Sequence, residues 1–363
     1  MTAAELHLVV PGSLGQNTGG YRYDRRLVEG LRAHGWAVHV HELPGTHPQV
    51  DAATVLAADD AFSRLPDRGL VLIDGLALPA VAPAIARHGD RLRLLALVHH
   101  PLWLETGLGA AQADALRTLE QEALGRMRGV LVPSRRTARD VAALGVPEAR
   151  IAVVPPGTDP APPARGSGDG VPMLLSVAIV TPRKGHGTLL TALAALGDLP
   201  WRLTLIGSLD RDPAHAGTVR AMVRHAGLEE RVALCGEVDE AALAAAYARA
   251  DLFVQASHHE GFGMAVAEAL AHGLPVVATA VGAAPELVGG SAGLLVPPGD
   301  APALAGALRR VLADAALRRR LSAGARAAAA ALPTWEATAR AAAGSLRRAM
   351  EHEKDVAGGG ASR

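Results

Sequence analysis

The feature that most constrains this chain is an alternation, run through twice, of short continuous apolar runs with Ala/Leu-rich helical stretches. In the first half the apolar runs fall at 6–10, 37–42, 70–74, 92–98, 129–132 and 151–154, and helical patterns lie between them at roughly 19–34, 51–65, 77–88, 112–126 and 134–144. Runs such as Leu70-Val71-Leu72-Ile73 are continuous rather than alternating, which marks strands buried on both faces and hence a parallel sheet covered by helices. Pro155-Pro156-Gly157-Thr158-Asp159-Pro160, then Pro162-Pro163 and Gly166-Ser167-Gly168-Asp169-Gly170, break the pattern and read as an exposed linker. The alternation then restarts, with strands expected at 172–178, 202–206, 231–235, 251–255, 275–279 and 293–296, and helices near 186–197, 214–226, 239–249, 263–272 and 301–313. Such halves predict an α/β chain of two doubly wound, Rossmann-like domains facing a cleft, with ligands beyond the carboxyl ends of the strands. The expected division is 1–158 and 172–331 for the domains, 159–171 for the linker, a helix over 332–350 and a frayed tail over 351–363.

Length and composition agree with that division. A chain of 363 residues, 49% of them hydrophobic, has enough apolar mass for two cores. A formal net charge of zero argues against a nucleic-acid partner. Cys235, the only cysteine, follows a Val-Ala-Leu run and reads as a small buried residue, with no disulfide available within the chain. Glu5 and His7 interrupt what would have to be the apolar core of a secretory signal, and no stretch reaches the roughly 20 apolar residues of a membrane span. The expectation is a cytoplasmic protein, with peripheral contact at the inner membrane face left open.

The densest local signal is Glu260-Gly261-Phe262-Gly263-Met264-Ala265-Val266-Ala267-Glu268, where a strand enters a helix. Gly261 and Gly263 let backbone amides approach a ligand, and a helix N-terminus favours negative charge. Glu260 and Glu268 offer carboxylates to hydroxyls. Amides for phosphate and carboxylates for hydroxyls together describe a sugar nucleotide. Arg183-Lys184-Gly185 follows another strand and places two cations where a diphosphate would lie. Lys184 is the only lysine besides Lys354 of the polar tail. Gly12, Gly15, Gly19 and Gly20 form a flexible loop before the first helix, at spacings that match neither a dinucleotide fingerprint nor a P-loop. His99-His100 ends the fourth strand, and in extended chain at most one of the pair faces the ligand.

Together these residues resemble the retaining glycosyltransferases of family 4, of GT-B fold, over nearly the whole chain. Glu260 and Glu268 are similar to that family's Glu-x7-Glu motif, Arg183-Lys184-Gly185 to its Arg-Lys-Gly loop, and Gly19-Gly20 to its N-terminal glycine loop. Val132-Pro133-Ser134, Val154-Pro155-Pro156-Gly157 and Gly236-Glu237-Val238 match further stretches, and Trp335 falls where the family's last helix crosses back to the N-terminal domain. Two positions depart from the pattern: Gly282-Ala283 stands for a glycine pair, and Ala178 for a frequent glycine.

The resemblance implies a hexosyltransferase that takes a UDP- or GDP-sugar, retains anomeric configuration through a front-face step, and needs no metal ion or other cofactor. It implies that His99, Arg183, Lys184 and Glu260 are catalytic. It assigns Gly19, Gly20, Gly236, Val238, Gly261, Phe262, Gly263, Met264 and Glu268 to donor binding, with His100 the substitute for His99. The acceptor, a small molecule, a glycan or a lipid, is left open. Arg22, Arg25, Arg26 and Arg32 on the first helix read as a solvated face with Asp24 and Glu29, ahead of a lipid-phosphate face. The alternatives on the same fold are a sugar-nucleotide epimerase, a phosphorylase and a non-catalytic sugar-nucleotide binder.

Overall fold

The structure, a computed structural model, describes residues 4–45, 47–48 and 50–351. Lys354 and the rest of the expected tail beyond Glu351 lie outside the described residues. The chain divides into two units, Met1–Gly157 with Pro333–Arg363, and Thr158–Leu332.

In the N-terminal unit, β1 (Ala4–Pro11), β2 (Trp36–Leu43), β3 (Leu70–Asp74), β4 (Arg93–Leu97), β5 (Gly129–Val132) and β6 (Ile151–Val153) form one parallel sheet of order β2-β1-β3-β4-β5-β6. Every residue of β3 is buried. Val71 and Ile73 face a core built with α2 (Ala52–Ser63), α3 (Leu78–His88) and α4 (Ala110–Gly125). α1 (Gly19–Ala33) follows β1, and α5 (Arg135–Ala142) follows β5.

The C-terminal unit repeats the plan. β7 (Met173–Val177), β8 (Arg202–Ile206), β9 (Val232–Leu234), β10 (Leu252–Gln255), β11 (Val276–Thr279) and β12 (Gly293–Val296) are parallel in the order β12-β11-β10-β7-β8-β9. Leu252 and Val254 pack with α6 (His186–Ala194), α7 (Pro213–His225) and α11 (Ala301–Ala313). Phe253, on the opposite face, packs with α8 (Glu240–Arg249), α9 (Met264–Ala271) and α12 (Ala315–Ala329). The two-domain α/β architecture is as the alternation implies.

Helix starts follow local chemistry. Asp51, Ser134, Asp212, Asp239, Asp300 and Asp314 each accept the amide three residues on, a cap worth about 1 kcal/mol apiece. α1, α6 and α9 have no side-chain cap; Gly185 and Gly263 stand at the N-caps of α6 and α9 with φ of +65° and +103°.

The last helix, α13 (Trp335–Glu351), belongs to the N-terminal unit. It lies so close to α1 that a Cβ on Gly30 would stand 2.5 Å from Cβ of Ala339. Thr338 Oγ1 donates to Pro155 O at 2.8 Å, and the guanidinium of Arg26 lies 5.4 Å from the Trp335 ring.

Three expectations change. Cys235 is exposed, not buried, because it follows β9, the edge strand of its sheet, where one flank has no neighbouring strand. A short helix, α10 (Ala284–Val288), occupies a stretch with no helical signal. The Pro/Gly segment forms neither helix nor strand, yet it is tied to the C-terminal unit: Ala164 N donates to His272 O at 2.8 Å and Arg165 N to Ala248 O at 2.7 Å. Among the described residues no helix is long and apolar enough to cross a membrane.

Candidate active site

In the C-terminal unit, β7 begins the sheet, β8 and β9 extend it one way, and β10 then pairs on the other side of β7. The loops after β7 and β10 therefore leave a topological switch point in opposite directions, where open α/β sheets bind ligands. Those loops carry Arg183-Lys184 and Ser257 to Gly263, and they are clasped together. His258 N donates to Arg183 O at 2.8 Å, and Arg183 Nη1 donates to His259 O at 3.1 Å.

Glu260 lies at the centre, 6% exposed. Its Oε1 accepts from Lys184 Nζ at 2.6 Å, Ser257 Oγ at 2.7 Å and Gln255 Nε2 at 3.1 Å. Arg183 Nη1 stands 3.8 Å from Oε2. Burial alone would raise the Glu260 carboxyl, but the charges of Lys184 and Arg183 and the donated hydrogen bonds win and hold it at about 2. The carboxylate is thus a permanent anion, too weak a base to take a proton near neutral pH. Two cations against one carboxylate leave the cluster with a surplus positive charge beside the N-termini of α6 and α9.

Gly282 fits against this cluster. Its φ is +56°, and a Cβ there would meet Glu260 Cβ and O at 2.8 Å. Ala283, at the departed glycine position, packs with Phe262 and Ala267. The Phe262 side chain accordingly packs inward, and its carbonyl accepts from Ala283 N at 3.1 Å. Glu268 is a turn into α9, and Tyr247 Oη donates to its Oε2 at 2.9 Å. The Gly236 carbonyl accepts from Gly207 N at 2.9 Å, and the Val238 side chain packs into the core.

The N-terminal unit has its own switch point, between β1 and β3. Gly19 and Gly20 open α1 there, and a Cβ on Gly20 would lie 3.2 Å from His99 Cδ2. His99 Nε2 stands 3.0 Å from Asp24 Oδ1 and 3.7 Å from Asp74 Oδ2. His100 turns elsewhere, its Nε2 3.2 Å from Glu105 Oε2. The two histidines have separate partners, as adjacent residues in extended chain should.

Asp24, Asp74, Gln255, Ser257 and Gly282 were not among the residues expected from sequence. Asp74 gave one usable signal, a carboxylate ending an otherwise apolar strand. The arginines of α1 are occupied within the fold: Arg25 Nη1 donates to Leu14 O and Gln16 O, and Arg32 Nη2 to Val38 O. A lipid-phosphate face on that helix would first have to break those bonds.

Two parallel α/β units, each carrying a polar cluster at its switch point, are the architecture of GT-B glycosyltransferases. Sucrose-phosphate synthase from Thermosynechococcus elongatus superposes with a TM-score of 0.80 at 25% identity, covering 96% of this chain and 100% of that one. HepE from Anabaena, solved with UDP and glucose, shares the fold with a TM-score of 0.74 at 21% identity, over 95% and 99% of the two chains. Residues 159–328 match the family model described as glycosyl transferases group 1, and residues 70–162 match that of glycosyltransferase family 4. The chain belongs to this group of glycosyltransferases, family 4. A D-inositol 3-phosphate glycosyltransferase of Kineococcus radiotolerans is 37% identical over 57% of this chain and 54% of its own length. An MMP alpha-(1->4)-mannosyltransferase of Mycolicibacterium hassiacum is 28% identical over 68% and 63%. The chain spans about half the length of the first curated relatives it matches.

Proposed function

We propose that this chain is a retaining hexosyltransferase that moves a sugar from a UDP- or GDP-sugar to an acceptor hydroxyl without a metal ion. The observation that carries the proposal is the ion cluster of Arg183, Lys184 and Glu260 at the C-terminal switch point. Its surplus cation and the adjoining uncapped helices suit a diphosphate. As the glycosyl–phosphate bond breaks, negative charge grows on the leaving phosphate, and Arg183 and Lys184 are placed to meet it. Glu260, ionised throughout, stabilises positive charge at the reacting carbon and is not a proton acceptor. Glu268, held by Tyr247, takes the ribose hydroxyls, and backbone amides at Gly261, Phe262, Gly263 and Met264 take the sugar. Gly236 and Val238 meet the base through their backbone; within the N-terminal unit Gly19, Gly20 and His99 form a polar site of their own, with His100 left to Glu105. The curated relatives' names support a polyhydroxylated acceptor such as a cyclitol or a sugar.

A thermal-shift screen against UDP, GDP, dTDP, ADP and their common sugar conjugates, with and without EDTA, tests the donor site. Ligand at 100 times its dissociation constant adds about 2.7 kcal/mol. The expected result is a shift with one base, unchanged by EDTA; no shift with any of them refutes the site. The anomeric coupling constant of the product, read by proton NMR, tests retention. Lys184→Ala is expected to reduce turnover by about 2.7–4 kcal/mol of transition-state stabilisation, with Lys354→Ala near wild type.

A further inference from the structure

The Asp24, Asp74 and His99 cluster holds more ionisable groups than its burial allows to be charged at once. Asp24 is 0% exposed and Asp74 3%. One imidazolium cannot neutralise two carboxylates, and an uncompensated buried charge is strongly unfavourable. The hydrogen bonds show where the extra proton belongs. Asp24 Oδ1 faces His99 Nε2, while Asp24 Oδ2 is buried with no other donor among the described residues. Asp74 Oδ1 accepts from Leu76 N at 2.7 Å, leaving Oδ2 to carry a proton; that oxygen's 3.7 Å separation from His99 Nε2 is too long for a hydrogen bond.

We propose that Asp24 and Asp74 are positioning residues that share one proton and keep the His99 imidazole doubly protonated, its Nδ1–H a donor to an oxygen of the bound substrate. The substrate part of this inference rests on the transferase reading above. Nε2 is committed to Asp24, so Nδ1 is the ring's remaining polar atom, and the side chain is 20% exposed. The ring is bordered by Gly20, where a Cβ would stand a tight 3.2 Å from His99 Cδ2, and by Tyr23, edge-on at 5.3 Å. Tyr23 itself donates to Val154 O at 2.9 Å, and burial keeps its phenol protonated. The ionisable groups facing His99 are therefore Asp24 and Tyr23 from α1 and Asp74 from β3.

The proton affinities point the same way. Burial would lower the His99 pKa, but Asp24, by charge and hydrogen bond, and then Asp74 push it up to about 9. Burial and the neighbouring Asp24 raise the Asp74 carboxyl to about 8, against the opposing pull of His99.

The test is an NMR titration of the His99 Cε1 proton in the full-length wild type, Asp24→Asn and Asp74→Asn, alongside the pH profile of kcat/KM. His99 should titrate near pH 9 in the wild type, and the alkaline limb of kcat/KM should follow it. Asp24→Asn should lower both by about two pH units, toward the ordinary imidazole range. Asp74→Asn should move them by less than one, since the amide donates to Asp24 as the shared proton does. A wild-type His99 titrating at or below about 6.5 overturns the proposal without recourse to any variant. So does stoichiometric divalent metal in the purified wild type that Asp24→Asn releases, which would assign the three side chains to a cation. A raised His99 titration in a protein without transferase turnover would sustain the proton-sharing cluster and remove the transferase reading.

Discussion

Replacing Lys184 by methionine removes the ammonium and keeps most of the aliphatic stem, so it isolates the charge. Glu260 is held at about 2 where an unperturbed glutamate titrates near 4.5, a gap worth about 3 kcal/mol of stability at neutral pH. Lys184 and Glu260 are 14% and 8% exposed at their side chains, so solvent screens the pair little. Arg183, 3.8 Å from the other carboxylate oxygen, would remain as a cationic partner beside the neutral donors Ser257 and Gln255. Lys184→Met is therefore expected to lower stability by about 2–3 kcal/mol, the lower edge of what breaking a buried pair costs. For a unit of this size that is about 4–12 °C in its melting temperature.

The sign of the pH dependence follows from a lowered carboxylate. Its stabilisation is fully present above about pH 4.5 and is lost as pH falls toward about 2. The difference between wild type and Lys184→Met should thus be flat from pH 6 to 8 and shrink on acidification below 4.5. Urea titrations of wild type, Lys184→Met, Glu260→Gln and the double variant close a thermodynamic cycle. The expected coupling is about 2 kcal/mol, with the double variant more stable than the sum of the singles implies. A Lys184→Met loss below about 0.5 kcal/mol, or additive singles, would refute a buried, charge-compensated Glu260.

Four further outcomes are expected. Gly282→Ala combines positive φ with a Cβ 2.8 Å from Glu260, and should lose about 1–3 kcal/mol in chemical denaturation together with much of any donor-induced thermal shift. Glu120 is buried, which raises its carboxyl to about 7 against the hydrogen bonds from Leu102 and Trp103, and Asp74 and His99 are raised as well. Each binds more protons folded than unfolded, so melts should show the N-terminal unit weakening from about pH 4 to 9, with Asp74→Asn flattening the decline. Gly30→Ala would force a methyl 2.5 Å from Ala339 Cβ; despite better helix propensity it should cost about 1–2 kcal/mol, and Ala339→Gly should restore it. Cys235, exposed in the folded chain, should react with Ellman's reagent without denaturant; a thiol silent until unfolding would place it in the core after all.

The strands were legible because a doubly covered parallel sheet writes itself as unbroken apolar runs, and most observed boundaries fall within a residue or two of the sequence reading. What escaped was short or long-range. α10 is five residues, Ala-Pro-Glu-Leu-Val, less than the periodicity needed to show a helical face. The neighbours of Cys235 report only apolarity, whereas its exposure follows from its place beside an edge strand, which depends on the order of the whole sheet.

The candidate site divides the same way. Glu260, Lys184 and His99 lie at strand ends and loop tips, where residue type and local punctuation suggest chemistry. Their partners do not. Lys184 and Glu260 are 76 residues apart, and Asp24 and His99 are 75 apart. Asp24 read as one charge in a solvated Arg-rich face, and it is fully buried. Ser257 and Gln255 read as loop and strand, yet both donate to Glu260. A local motif shows the group that meets a ligand, while the groups that fix its charge come from other strands and are joined to it only by sheet order. That order also decides chemistry: two cations and the hydrogen bonds beside them keep Glu260 an anion, and Asp24, sharing a proton with Asp74, makes His99 a cation, whereas in isolation the first would be a candidate base and the second a neutral ring at neutral pH.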